Sequence, residues 1–426
     1  MNDKKFGTIA VTGGFHSDQT TGATNVPLYL SNAYQFKSAE SAANLFDLTE
    51  PGYIYTRMHN PTTSVLEERL AMLEGGTASV ATASGQAALF LIIFTLCKEG
   101  DEIVASSKLY GGTLNLLNIS LKRLGIKVRF ADQTNPAAWE KLITDQTKGL
   151  YLECLTNPDS SIPDFEAFSA IAAKYGIPMI VDNTMATPAL FRPIDTGANI
   201  VLHSSTKYLS GNGAVMGGAA VDLGNFDWAA SGRFPNFVEH DASYHGVEFA
   251  KTFGNQAFAA KARVQGLRDF GGTPSPFNSF LTILGIQTLH LRMPRHVANA
   301  KAAAEFLSRD KAVELVSYPE LPTHPDHKWA KKYFPKGAGA MLTFNIKGGY
   351  ESAKRFIEGL KLCVHATNVG DARTVVTHPA STTHRQLSEE QLAAAGIAKN
   401  LIRITVGIED VADILDDIKQ ALDKTS

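Results

Sequence analysis

The chain is poor in cysteine: three in 426 residues, Cys97, Cys154 and Cys363. With no C-x-x-C pair among them, a disulfide framework and a zinc site are both disfavoured. Cys97 and Cys154 stand in apolar runs and read as core packing. Long hydrophobic runs are lacking too. The longest, Ala87 to Cys97, falls short of the ~20 residues that a membrane helix needs. The opening MNDKKFGTIAVTGGF is basic but has no apolar signal region or cleavage site. Neither sign of charge is in excess, with Lys+Arg 40 against Asp+Glu 42. Nothing therefore points to nucleic acid or an anionic membrane as partner. A soluble, cytoplasmic protein fits these absences. No internal repeat or low-complexity segment is visible.

What is present is length and apolar content, with 44% hydrophobic residues, enough for more than one domain. Residues up to about Asn60 look irregular and polar and read as an arm. From Pro61 a helix is expected: Thr62, Thr63 and Ser64 offer caps, Ser64 and Glu67 have capping-box spacing, and Gly75-Gly76 ends the run. Short apolar runs then alternate with helical ones. Strands are expected at Ser79–Ala83, Glu102–Ala105, Lys127–Phe130, Gly149–Glu153, Pro178–Val181, Ile200–His203 and Gly217–Val221. This alternation predicts a mostly parallel sheet covered on both faces, with ligands beyond the carboxyl ends of its strands. Residues 226–276 are rich in Gly, Pro, Asn and aromatics and read as a long surface excursion. A helical stretch from Phe277 through Phe306 follows, then a smaller α/β domain with strands at Ala340–Ile346 and Leu401–Val406.

Four strand ends carry chemistry. After the first strand, Ser84-Gly85-Gln86 opens a helix whose N–H groups and dipole suit a phosphate, or simply form a tight turn. After the second, Tyr110 beside Gly111-Gly112 can lie flat on a planar ligand. After the fifth, Asp182 needs a partner at a buried edge: a protonated pyridine nitrogen, an Arg or a helix N-terminus. After the sixth, Ser204-Ser205-Thr206-Lys207 sets a lysine where lost hydration would free its amine for Schiff-base chemistry, unless it is an ordinary surface lysine. Together these residues supply the parts of a pyridoxal 5'-phosphate (PLP) site. Two decoys are set aside. Gly211-Asn212-Gly213 with Gly217-Gly218 has the wrong spacing for a dinucleotide fingerprint. His324 with His327, and His378 with His384, lie beside prolines and read as solvated turn histidines rather than metal ligands.

These motifs resemble, nearly end to end, the Cys/Met-metabolism family of PLP enzymes, its O-acetylhomoserine sulfhydrylase branch most. The resemblance implies fold type I: a large, mostly parallel seven-stranded sheet domain, a smaller C-terminal α/β domain and an N-terminal arm, at 61–295, 296–426 and 1–60. Tyr53-Ile54-Tyr55-Thr56-Arg57 resembles the segment that grips the PLP phosphate of a neighbouring subunit, which implies roles for Tyr55 and Arg57 in trans and a homo-oligomer, a dimer of dimers. It further implies that Ser84, Gly85, Gln86, Ser204 and Thr206 hold phosphate. Tyr110 would stack on the ring, Asn157 lie near the phenolic oxygen, Asp182 face the pyridine nitrogen and Lys207 carry the aldehyde. Arg403 would bind the substrate carboxylate; without the resemblance it could equally be a structural ion pair. Gln86 and Asn368 stand where related γ-lyases usually carry Met and Ser, and the 226–276 segment is also similar to the sulfhydrylase branch. His59 departs from the more usual Met. The activity implied joins O-acetyl-L-homoserine and sulfide, Asn368 and Arg403 being substrate-side residues and Lys207 and Tyr110 catalytic. A methionine or cystathionine γ-lyase is the alternative within the family, and a non-catalytic PLP-binding protein the alternative outside it.

Overall fold

A computed structural model describes residues 4–157, 159–382, 385 and 398–425. All seven expected strands of the large sheet form: β1 (Ala78–Thr82), β2 (Glu102–Ser106), β3 (Lys127–Ala131), β4 (Thr147–Glu153), β5 (Met179–Asp182), β6 (Ile200–His203) and β7 (Gly218–Asp222). They run in the order β1-β7-β6-β5-β4-β2-β3. Only β7 runs against its neighbours; the remaining pairs are parallel. Strands such as β4 and β6 are buried at every position, which explains their unbroken apolar character.

Helices cover both faces. On one lie α3 (Pro61–Glu74), the helix Phe165–Lys174 and the pair Pro276–Gln287 and Leu289–Leu307. The expected single stretch from Phe277 is thus two helices, broken at Thr288. On the other face lies α4 (Gly85–Leu96). Beside it packs the segment read from sequence as a surface excursion, and that reading is corrected. Trp228, Phe234, Phe237, Phe249 and Phe258 are buried there, and the Trp228 and Phe237 rings stack 4.1 Å apart. Large aromatics bury enough area to anchor short helices that have no legible period.

The start of α3 also differs. Asn60, not Ser64, is its N-cap: the Asn60 side chain accepts from Thr62 N (2.9 Å), and Pro61 occupies the first turn. Glu67 makes no capping box. It accepts from Ala81 N at 2.8 Å and pairs with Arg263 at 2.8 Å. The arm is less irregular than expected. It holds α1 (Phe6–Thr12) and α2 (Ala39–Phe46), and α1 buries Ile9 and Ala10 against its own chain. Helices of seven and eight residues are too short to show a clear period. Asn60 Nδ2 donates to Tyr29 O and Tyr34 Oη, tying the arm to α3.

A second sheet holds β8 (Val313–Ser317), β9 (Met341–Ile346), β10 (Val364–His365), β11 (Val375–Thr377) and β12 (Leu401–Thr405), in the order β10-β11-β12-β9-β8. Sequence patterning had indicated only β9 and β12. The central β12 places Arg403 opposite Thr343 of β9 and Thr377 of β11. His378 is not solvated as expected. It is buried, with Nε2 2.7 Å from Lys399 O and Nδ1 2.9 Å from Ser381 Oγ; His384 lies outside the described residues. Among those residues no helix is long and apolar enough to cross a membrane.

Because Asn60 caps α3 and also holds Tyr29 and Tyr34, Asn60→Ala should do two things. Urea denaturation should show a loss of about 1–2 kcal/mol, and timed proteolysis should cut residues 29–56 faster than in the parent while the sheet domain stays resistant.

Candidate active site

Parallel strands deliver their last residues to one edge, and β1, β4, β5 and β6 do so around a cavity of about 560 Å³. At its floor, β1 turns into α4. Ser84 is extended and its Oγ accepts from Ala87 N at 3.1 Å. The N–H groups of Gly85 and Gln86, in the first turn, have no acceptor within the helix and form the positive end of its dipole. Gly85 is required by a close approach, because a Cβ there would sit 2.7 Å from Ser204 Cβ. Ser204 is fixed in turn by its N–H donating to Thr184 Oγ1 at 2.8 Å, and Thr206 by two bonds of 3.1 Å to the Gly217 backbone. Ser84, Gly85, Gln86, Ser204 and Thr206 are thereby brought together on one wall of the cavity, a set of donors that would suit an anion.

Lys207 follows on the same loop, partly buried, with Nζ donating to Asn368 Oδ1 at 3.2 Å. Burial, and next the Arg403 charge, lower its pKa from the ordinary lysine value. Asp182 ends β5. It accepts from Thr184 N at 2.9 Å and from Tyr151 Oη at 3.3 Å, and burial raises its pKa. No cation pairs with it among the described residues. Tyr110 hangs over the cavity with 51% of its surface exposed. Gly112 makes room for that ring, since a Cβ would lie 2.5 Å from Tyr110 Cε1 and 3.2 Å from Gln86 Nε2. From the second sheet, Arg403 donates to Asn157 Oδ1 at 3.1 Å and to Thr367 O at 3.2 Å. Among the described residues its buried Nε has no partner, and burial lowers its pKa.

Eleven of the thirteen residues singled out from the sequence therefore line one cavity. Tyr55 and Arg57 do not. They stand apart on the arm, the Arg57 guanidinium 5.4 Å from the Tyr55 ring centre, and Arg57 O accepts from Thr273 Oγ1. Sequence reasoning missed Glu153, Thr184 and Met185, which also line the cavity, and Tyr151, which lies just behind it. Glu153 carried the same signal as Asp182, an acid closing a buried strand.

The donor set fits a phosphorylated pyridine aldehyde. The backbone and hydroxyl donors suit the phosphate, Asp182 is a buried acid that a cationic nitrogen would pair with, and Lys207 is an amine whose charge burial disfavours. Comparison with known proteins agrees. The model of the Cys/Met metabolism PLP-dependent enzyme family matches residues 7–423. The chain belongs to that family. Its cofactor is accordingly PLP, and its fold is type I. An O-acetyl-L-homoserine sulfhydrylase from Leptospira meyeri is 48% identical over 97% of this chain and 96% of its own. A homocysteine synthase from Schizosaccharomyces pombe is 47% identical over 99% of both. Among solved structures, a putative O-acetylhomoserine (thiol)-lyase from Campylobacter jejuni, containing N'-pyridoxyl-lysine-5'-monophosphate, superimposes with a TM-score of 0.96 at 39% identity. It covers 99% of this chain and 100% of that one. The metB protein of Corynebacterium glutamicum gives 0.84 at 32%, covering 100% and 99%.

The Arg403 charge depresses the pKa of Lys207, so removing it should raise that pKa. In Arg403→Gln, the pH midpoint for trapping added pyridoxal 5'-phosphate on Lys207 with borohydride should move upward. A midpoint identical to the parent's would leave burial as the sole cause.

Proposed function

We propose that this family member catalyses a γ-replacement: sulfide displaces acetate from O-acetyl-L-homoserine to give L-homocysteine, a step of methionine biosynthesis. The observation that carries it is end-to-end identity of 47–48% to relatives named for this chemistry. With it goes a cavity that sets the Lys207 amine beside the buried Arg403 guanidinium. The γ-lyase alternative is not favoured by those names.

The residue roles are part of the proposal. Ser84, Gly85, Gln86, Ser204 and Thr206 hold the cofactor phosphate, Tyr110 covers the ring, Asn157 faces its phenolic oxygen and Asp182 its nitrogen. Bound through Lys207, PLP supplies the electron sink for carbanion character in the substrate. Arg403 takes the substrate α-carboxylate, for which a guanidinium offers two parallel donors. The Lys207 Nζ would remove the Cα proton and shuttle protons at Cα and Cβ. Asn368 aims that amine from 3.2 Å. The Cγ–O bond breaks with its electrons leaving on acetate, and hydrosulfide forms the new Cγ–S bond. Tyr110 is placed to pass a proton near the leaving group. Orienting the substrate's Cα–H bond toward the Lys207 amine would be the task of Arg403 and Tyr110 together.

Tyr55 and Arg57 grip the phosphate of a neighbouring subunit, so the working unit is at least a dimer, and a dimer of dimers is proposed, in the cytoplasm. In support, both residues lie outside their own chain's cavity, and the arm exposes Leu30 at 72% and Phe46 at 56%, apolar surface that a second copy would cover.

Purified protein supplied with O-acetyl-L-homoserine should release homocysteine only when sulfide is added. Steady release of 2-oxobutanoate without sulfide would instead mark a lyase. Lys207→Ala should lose roughly 10²–10⁴-fold or more in turnover. Arg403→Ala should raise the KM for the amino acid roughly 10- to 100-fold. Neither Arg57→Ala nor Lys207→Ala alone should be active, yet their mixture should recover part of the activity after subunit exchange. No recovery would place the arm on its own subunit's site.

A further inference from the structure

Glu153 closes β4 directly beside Asp182, its register partner on β5. It is 5% exposed and lines the same cavity. Two acids at adjacent strand ends are costly unless each has its own work. Those of Asp182 and Glu153 differ. Among the described residues the Asp182 side chain bonds only to its immediate surroundings, Thr184 and Tyr151. Glu153 reaches two separate loops with its two oxygens. Oε1 accepts from the backbone N–H of Tyr110 at 2.6 Å, and Oε2 from the backbone N–H of Asn157 at 3.3 Å. Burial and the Asp182 charge push the Glu153 pKa well above the usual carboxylate range, while those two N–H groups pull it back.

We infer that Glu153 is a positioning residue that spans Tyr110 and Asn157, and through Asn157 sets Arg403 for the substrate carboxylate. The connection is continuous. Asn157 Oδ1 accepts from Arg403 Nη1 at 3.1 Å, and the only other bonds of that guanidinium among the described residues go to Thr367 O and Thr377 Oγ1. One buried carboxylate on the large sheet therefore fixes the cavity's aromatic wall and reaches the charged group supplied by the small sheet. A purely structural acid would spend its bonds in the core. Both of these go to residues that themselves line the cavity. The two backbone N–H groups favour the carboxylate form against the burial that opposes it.

The inference rests on Arg403 binding the amino acid, and the experiment separates the two. Glu153→Gln is nearly isosteric and keeps one acceptor for Tyr110, but turns a donor toward the Asn157 N–H. L-norleucine, which has an α-carboxylate and no γ leaving group, is titrated into the PLP-loaded protein and followed by its visible absorbance. In Glu153→Gln its Kd, and the KM for O-acetyl-L-homoserine, should rise about tenfold. Turnover at saturation should fall much less, and PLP retention and the melting temperature should stay near those of the parent. Glu153→Ala, losing both bonds, should in addition lower saturated turnover by releasing Tyr110. Parent-like Kd and KM in Glu153→Gln would overturn the inference, whatever happens to its melting temperature. If the parent protein itself neither binds L-norleucine nor turns over with sulfide, it is the functional reading that fails. Should Glu153→Gln lose PLP or unfold, Asn157→Ala decides: it cuts the link beyond Glu153, and an unchanged Kd there also overturns the inference.

Discussion

Four ionisable groups, Glu153, Asp182, Lys207 and Arg403, share one cavity, and among the described residues none forms an ion pair with another. Everything else at this edge follows from that constraint. Charges withheld from water and from each other are expensive, and the penalty shows as pKa shifts toward the neutral forms, up for the acids and down for the bases. A site built only for stability would have joined Lys207 to Asp182. Here Lys207 is held off by Asn368 and Asp182 by Thr184 and Tyr151, so each group stays open to a ligand of the complementary kind.

The cost is carried by the apolar framework beneath. β4, β5 and β6 bring Glu153, Asp182 and Lys207 to one edge because the strands are parallel and in register. They stay in register because both faces are covered. The aromatic segment 226–276 belongs to that covering. By sealing the side on which α4 packs, it fixes the helix whose N-terminus forms the anion cradle.

How much of this was legible depended on where local pattern and tertiary context agreed. The seven strands were, because strands buried on both faces are apolar throughout. Asp182 and Lys207 were, because a charge after such a strand is conspicuous. Glu153 ends Leu150-Tyr151-Leu152-Glu153 in the same manner and was passed over, its task being visible only once Tyr110 and Asn157 are seen on either side of it. β8, β10 and β11 are short or partly exposed and lack an apolar run. The burial of Trp228 and Phe237 is set by tertiary packing, which no window of residues encodes. Asn60 was hidden as a cap by the hydroxyl residues that follow it, although Pro61 at the first helical position was the better guide.

The two sheets contribute different things to the cavity, and this shapes what a substitution can do. The large sheet provides the cradle, Asp182 and Lys207. The small sheet provides Arg403 from β12, with Thr367, Asn368 and Val369 from the loop between β10 and β11. On the proposed reading, the first set concerns the cofactor and the second the amino acid. Asn157 is the residue that spoils a clean division. It sits on a large-sheet loop, beside the proposed ring position, yet its side chain holds Arg403. If its amide serves both, cofactor and substrate cannot be positioned independently. The bond from Arg403 to Asn157 then joins those from Lys207 to Asn368 and from Ser160 to Met341 O in placing the small sheet relative to the ring. A change at position 157 would therefore mix effects that changes at Asp182 or Arg403 keep apart.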